Sequence, residues 1–118
     1  MLTARDSPAS CTINSMVYAF GGAHFQTTFP QLEALGSAES LNLAGVQGGA
    51  ASSWRWAPPL PSNRTSAAAA AVQWEGKAAC IIAGGFYGGS SDFAYLNETL
   101  LFDGTEGYAQ SCSSCYSY

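Results

Sequence analysis

The chain has 118 residues, room for one small domain at most. Apolar residues make up 47% of it and charged residues 10%, which excludes a disordered segment, since disorder needs low hydrophobicity and high charge. The formal charge of −4, with no basic run, excludes the electrostatic footprint of a nucleic-acid binder and attraction to anionic lipid.

In chain order, Arg5 is followed by a short strand of small residues around Cys11, and Asn14-Ser15 makes a turn. The run Met16-Val-Tyr-Ala-Phe20 reads as the next strand and ends at Gly21-Gly22. A long link, Ala23–Ala38, follows, with a short helical turn expected over Gln31–Leu35. Glu39–Leu43 is a third strand, and Ser53-Trp-Arg-Trp-Ala-Pro-Pro-Leu-Pro61 closes this half of the chain. Arg64 then opens a second pass. Ala67–Ala71 favours helix by intrinsic propensity. Its place between Arg64 and the Glu75-Gly76 turn makes it a strand. Cys80-Ile-Ile-Ala83 ends at Gly84-Gly85, a link follows over Phe86–Leu96, and Asn97–Asp103 is a strand. The longest apolar runs, Ala67–Val72 and Ala78–Ala83, fall far short of the ~20 residues that span a bilayer.

The two passes form an internal repeat, with the double glycines offset by 63 residues (84 − 21). Each pass orders an arginine, a small-residue strand, a turn, a strand ending in Gly-Gly and a further strand. The first adds Tyr18 in its second strand, and Trp54 ahead of Pro59-Leu-Pro61 and Arg64. This order resembles the kelch repeat over residues 5 to about 108. The resemblance implies an all-β fold: a partial kelch-type β-propeller of about two four-stranded antiparallel blades. The first module would occupy 5–60 and the second 61–110, with a Ser/Cys/Tyr tail at 111–118. Each marker has a physical reason. Glycine takes positive φ where the strand must turn sharply, tryptophan fills space between neighbouring blades, and arginine can bond several carbonyls with its fork of donors. Small side chains fit the first strand, where blades crowd around the axis.

The second pass lacks the closing tryptophan, and Tyr108 is the expected substitute. Propellers typically hold about 4–8 blades, and two leave apolar faces open. The expectation is therefore a fragment of a longer propeller, or a unit that needs further blades or self-association to close a ring.

In kelch proteins that capture peptides, residues after the arginine and after the double glycine line one mouth of the propeller. The resemblance carries that role to Asp6 and Ser7, Ala23 and His24, Thr65 and Ser66, and Phe86 and Tyr87. Phe86 and Tyr87 read as exposed anchors; the alternative is that they pack against Gly88–Tyr95. The implied function is non-catalytic recognition of a protein or peptide partner. The alternative is part of an extracellular carbohydrate-binding or galactose-oxidase-like propeller. The copper oxidase of that superfamily needs two histidines, and this chain has one, His24. The eight acids are scattered, with no paired acid and base, so no catalytic residue is expected.

Cys11 and Cys80 read as small core residues. Cys112-Ser-Ser-Cys115 is a lone pair, short of the four ligands of a structural zinc site. No metal or cofactor is expected. Residues 1–8 carry no apolar run of signal-peptide length, which points to the cytoplasm, or to an extracellular protein if a signal lies upstream. The sequons at Asn63 and Asn97 matter only in that second case.

Overall fold

The computed structural model describes residues 1–25, 32–44, 53–88, 93–105 and 107–110. Among them the chain is all-β, with twelve strands and no helix: β1 Ala9–Ile13, β2 Met16–Phe20, β3 Ala23–Phe25, β4 Leu32–Ala34, β5 Ala38–Asn42, β6 Arg55–Ala57, β7 Ala68–Trp74, β8 Lys77–Ala83, β9 Phe86–Gly88, β10 Phe93–Tyr95, β11 Thr99–Phe102 and β12 Tyr108–Gln110. They form two four-stranded antiparallel sheets, β1-β2-β5-β6 and β7-β8-β11-β12, neither of them closed, and two short ribbons, β3-β4 and β9-β10. The Cys112–Cys115 tail lies outside the described residues.

Both sheets start the same way. A two-residue turn at Asn14-Ser15 pairs β1 with β2 from Ile13↔Met16 to Ala9↔Phe20. The Glu75-Gly76 turn pairs β7 with β8 from Trp74↔Lys77 to Ala68↔Ala83. Asn14, Ser15, Glu75 and Gly76 all take positive φ, the geometry of tight hairpins whose twist matches that of the strands. The alanine run is a strand as expected. Its backbone gains a full ladder on β8, which outweighs the small helical preference of each alanine.

The helical turn expected over Gln31–Leu35 does not form where the chain is described. Leu32–Ala34 is a strand paired with Ala23–Phe25, with His24 opposite Glu33, and Gln31 lies outside the described residues. Ladder bonds to a neighbouring strand override the helix-favouring composition of this short stretch. The second link has the matching device, Phe93–Tyr95 on Phe86–Gly88. Each double glycine therefore leads into a two-stranded ribbon rather than a plain loop. A Cβ on Gly22 (φ +92°) would lie 2.8 Å from the Asp6 carbonyl oxygen, and one on Gly85 (φ +89°) 2.7 Å from that of Thr65. Both the dihedral and the close approach demand glycine there.

The core lies between the two sheets. Ala9, Cys11, Ile13, Tyr18 and Phe20 of the first meet Cys80, Ile82, Leu100 and Phe102 of the second. Ring contacts join them: Phe102 stands edge-on to Tyr18 at 5.0 Å and to Phe20 at 5.5 Å between centroids. Tyr108 stacks on Phe102 at 5.0 Å and donates its hydroxyl to the Pro58 carbonyl at 2.7 Å. Burial pushes the phenols of Tyr108 and Tyr18 above the usual tyrosine range. Tyr108 thus fills space between the sheets, whereas Trp54 is half-buried and Trp56 is exposed.

Cys11 and Cys80 are buried, as small core residues would be, but they are also bonded to each other. The disulfide crosses from β1 to β8, Cα to Cα 6.1 Å, and joins residues 69 apart in sequence. Reading each cysteine within its own strand misses the bond, because it depends on how the two sheets face one another.

Candidate partner-binding surface

Each sheet is pinned at one end by a buried arginine. Arg5 donates to the carbonyls of Gly21 at 2.6 Å and Ser37 at 3.0 Å, and pairs with Glu39 at 2.5 Å. Both side chains of that pair are 0% exposed. Arg64 donates to the Gly84 carbonyl at 3.1 Å and to Ser62 Oγ at 2.7 Å, and pairs with Glu98. In both cases the acid stands 34 residues after its arginine. The carbonyl contacts follow the expected use of the guanidinium fork. The carboxylates were not anticipated, although the equal Arg-to-Glu spacing is visible once the two passes are aligned on their arginines.

The residues beyond the arginines lie at the end of the sheets opposite the hairpin turns. Asp6 exchanges two backbone hydrogen bonds with Ala23, at 2.7 and 2.8 Å, and Thr65 exchanges two with Phe86, at 2.9 and 3.0 Å. The two pairs are joined by Ser66 N–H, which donates to the Ser7 carbonyl at 3.1 Å. Ser7 and Ser66 both take left-handed backbone, φ 51° and 56°, an uncommon state for a residue with a side chain. The structure thus gathers Asp6, Ser7, Ala23, His24, Thr65, Ser66, Phe86 and Tyr87 into one surface.

Their exposure differs. Asp6, Ser7 and Ser66 are exposed, Tyr87 is 40% exposed, and His24 and Phe86 are half-buried. Ala23 and Thr65 are buried, 1% and 2% exposed, so they build the backbone of this surface and offer it no side chain. His24 Nε2 lies 3.3 Å from Glu33 Oε2 across the β3-β4 ribbon, while its buried Nδ1 has no hydrogen-bond partner. A shallow cavity lies beside it, lined by Ala4, Arg5, Asp6, Ala23 and His24. Among the described residues, no group of three His, Cys, Asp or Glu is placed to hold a metal ion.

The β9-β10 ribbon adds an aromatic cluster. Phe86 packs against Phe93 at 5.1 Å and Tyr95 at 6.4 Å, and Phe93 meets Tyr95 edge-on at 4.9 Å. Phe86 therefore follows the alternative of packing against its own link. Tyr87, pointing to the other side of the ribbon by strand alternation, stays open. The outermost rings are Phe93, 58% exposed, and Tyr95, 81% exposed, two residues that the sequence reading did not single out. The signal for them was the alternation Phe93-Ala94-Tyr95, legible only if the link is taken as a strand. No protein-family model matches the chain, and no curated protein matches it in sequence.

Proposed function

We propose that the chain is a two-module part of a kelch-type β-propeller that recognises a protein or peptide partner without catalysis. The observation that carries this reading is the convergence of Asp6, Ser7, His24, Ser66, Phe86 and Tyr87 on one end of the paired sheets. The repeated order of arginine, hairpin, double glycine, ribbon and two further strands supports the propeller assignment. Exposed aromatic rings beside hydrogen-bonding groups supply the anchors that protein interfaces favour. The test is panning of a displayed peptide library on the whole chain. Selected peptides should lose roughly tenfold or more in affinity with Tyr87→Ala or Tyr95→Ala, as removal of an aromatic anchor does. They should be indifferent to Glu75→Ala at the opposite end. Peptides that bind all three variants equally would place recognition elsewhere.

A second reading, an extracellular propeller of the carbohydrate-binding kind, is favoured by the Cys11–Cys80 disulfide. Such bonds persist in oxidising compartments and are rare in the cytosol, so the location proposed here is extracellular rather than cytoplasmic. Asn63 and Asn97, the two sequon asparagines, are both exposed. Expressed through a secretory pathway, the chain should carry a glycosidase-sensitive mass increase that Asn63→Gln with Asn97→Gln abolishes. Secreted chain without that increase counts against this reading.

A further inference from the structure

The four Lys and Arg residues of the chain bring no free cation to the end of the sheets opposite the hairpin turns. The Arg5 and Arg64 side chains are buried there in ion pairs with Glu39 and Glu98. Arg55 lies in β6 opposite Ser40, and Lys77 follows the Glu75-Gly76 turn at the other end. What this end offers beside His24 is acidic: Asp6 is exposed, and the Glu33 side chain is 52% exposed. Strand β4, which carries Glu33, runs beside β9, which carries Tyr87, so the acidic ribbon and the aromatic ribbon adjoin. None of these groups belongs to either four-stranded sheet.

The shallow cavity beside His24 has a volume of about 390 Å³. Of the side chains that line it, Arg5 directs its N–H groups to Glu39, Gly21 and Ser37. The backbone N–H groups of Asp6 and Ala23 are spent on each other's carbonyls. Two side-chain acceptors remain. One is the Asp6 carboxylate, which takes a hydroxyl from Ser7 at 3.2 Å and has capacity for more. The other is His24 Nδ1, buried without a hydrogen-bond partner. Because Nε2 lies 3.3 Å from Glu33 Oε2, the neutral ring keeps its proton on Nε2 and leaves a bare lone pair at Nδ1. A buried acceptor left unpaired is costly. The group that completes this site brings N–H donors and positive charge together.

Resting on the peptide-recognition reading above, we propose that the cavity at Asp6 and His24 receives an arginine side chain of the partner peptide, its guanidinium donating to the Asp6 carboxylate and to His24 Nδ1. A guanidinium suits the site better than an ammonium. Its planar fork carries five donors on one delocalised charge, so a single group serves a carboxylate and an imidazole nitrogen together. Its face also stacks on aromatic rings, and Tyr87, 40% exposed on the adjoining ribbon, is such a ring.

The probe is N-acetyl-arginine amide, titrated into the isotopically labelled whole chain at about pH 8, where an ordinary imidazole is neutral. The backbone amide signals of Asp6, Ala23 and His24 should move and saturate, and those of the Glu75-Gly76 turn should stay in place. The citrulline analogue, of the same shape without the charge, should move none of them, and the lysine analogue should bind more weakly than arginine. Asp6→Asn, at an exposed position, should keep the dispersion of the spectrum and lower the affinity for the arginine probe by about tenfold. In peptides selected on the whole chain, arginine-to-citrulline replacement should weaken binding to the wild type and have little further effect on Asp6→Asn. A probe that gives no saturable shift overturns the proposal, as does a citrulline analogue that binds equally well or an Asp6→Asn chain that binds arginine undiminished. Selected peptides that depend on Tyr87 yet tolerate citrulline overturn the arginine site and leave peptide recognition standing. A saturable arginine shift on a chain that selects no peptide retains the guanidinium site and overturns the peptide reading.

Discussion

Arg5 and Arg64 occupy the same place in the two halves of the chain, yet the solvent access of their carboxylate partners differs. The Arg5–Glu39 pair is sealed from solvent on both sides, whereas the Glu98 side chain paired with Arg64 remains 22% exposed. Taking two charges out of water is costly, and the cost is offset only while each charge keeps its partner and its hydrogen bonds. Glu39 also accepts from the backbone N–H groups of Leu2 and Thr3, so it ties down the N-terminal segment as well. Removing its charge leaves a guanidinium buried without a counter-ion. Glu39→Gln should therefore cost roughly 3–5 kcal/mol. Glu98→Gln should cost less, because water already reaches that carboxylate and screens the loss. Urea unfolding midpoints of the two variants check the order. Equal costs would show that solvent access does not separate the two pairs. The arginines were legible in the sequence as carbonyl-bonding anchors. The carboxylates were not, because a glutamate inside a strand ordinarily reads as a solvent-facing residue.

At the scale of elements, what was legible is what repeats. The two hairpins, the double glycines and the strands after them stand where the two passes through the chain placed them. The five-alanine stretch is the instructive case: local propensity argued for helix and position in the repeat argued for strand, and β7 pairs with β8 along its whole length. Position won because an alanine helix of this length has too few bonds to offset its own nucleation, while a strand beside β8 has a partner for each ladder group. The ribbons were not legible. Ala23–Ala38 and Phe86–Leu96 differ in length and composition, so nothing in the comparison of the two passes marks them as the same device. Their strands are three residues each, too short for an alternation to stand out. That gap had a consequence for the candidate site. Phe93 and Tyr95 belong to the same aromatic cluster as Phe86, but they are reached only through the pairing of β9 with β10. Tyr108, the expected substitute for a closing tryptophan in the second pass, takes the space between the sheets, while Trp54, the tryptophan of the first pass, is half-buried.

For the whole molecule the question is what holds two open sheets to each other. Apolar contact does part of this, since Tyr18 and Phe20 of the first sheet meet Phe102 of the second, and the Tyr108 hydroxyl adds a hydrogen bond to the Pro58 carbonyl. Each sheet nevertheless has one side uncovered by the other, and small domains are marginal because they bury a smaller share of their surface than large ones. The Cys11–Cys80 bond compensates by acting on the unfolded chain. It closes a separation of 69 residues, for which loop-closure entropy alone gives about 4 kcal/mol. Two perturbations separate that contribution from the packing of the sulfur atoms. Reduction of the wild type keeps both side chains in the core and releases only the constraint. The Cys11→Ala/Cys80→Ala variant releases the constraint and also hollows the core beside Ala9, Tyr18 and Phe102. Reduction should lower the unfolding free energy by about 2–4 kcal/mol, and the double variant should lose somewhat more, since removed core volume adds its own cost. In each state the loss should appear as one cooperative transition, because the aromatic rings of the two sheets share a single core and neither sheet buries its apolar side alone. Two separate transitions after reduction would mean that the sheets fold independently, with the disulfide as the main link between them. A midpoint unmoved by either perturbation would mean that the bond adds nothing to the packing that brings the two cysteines together.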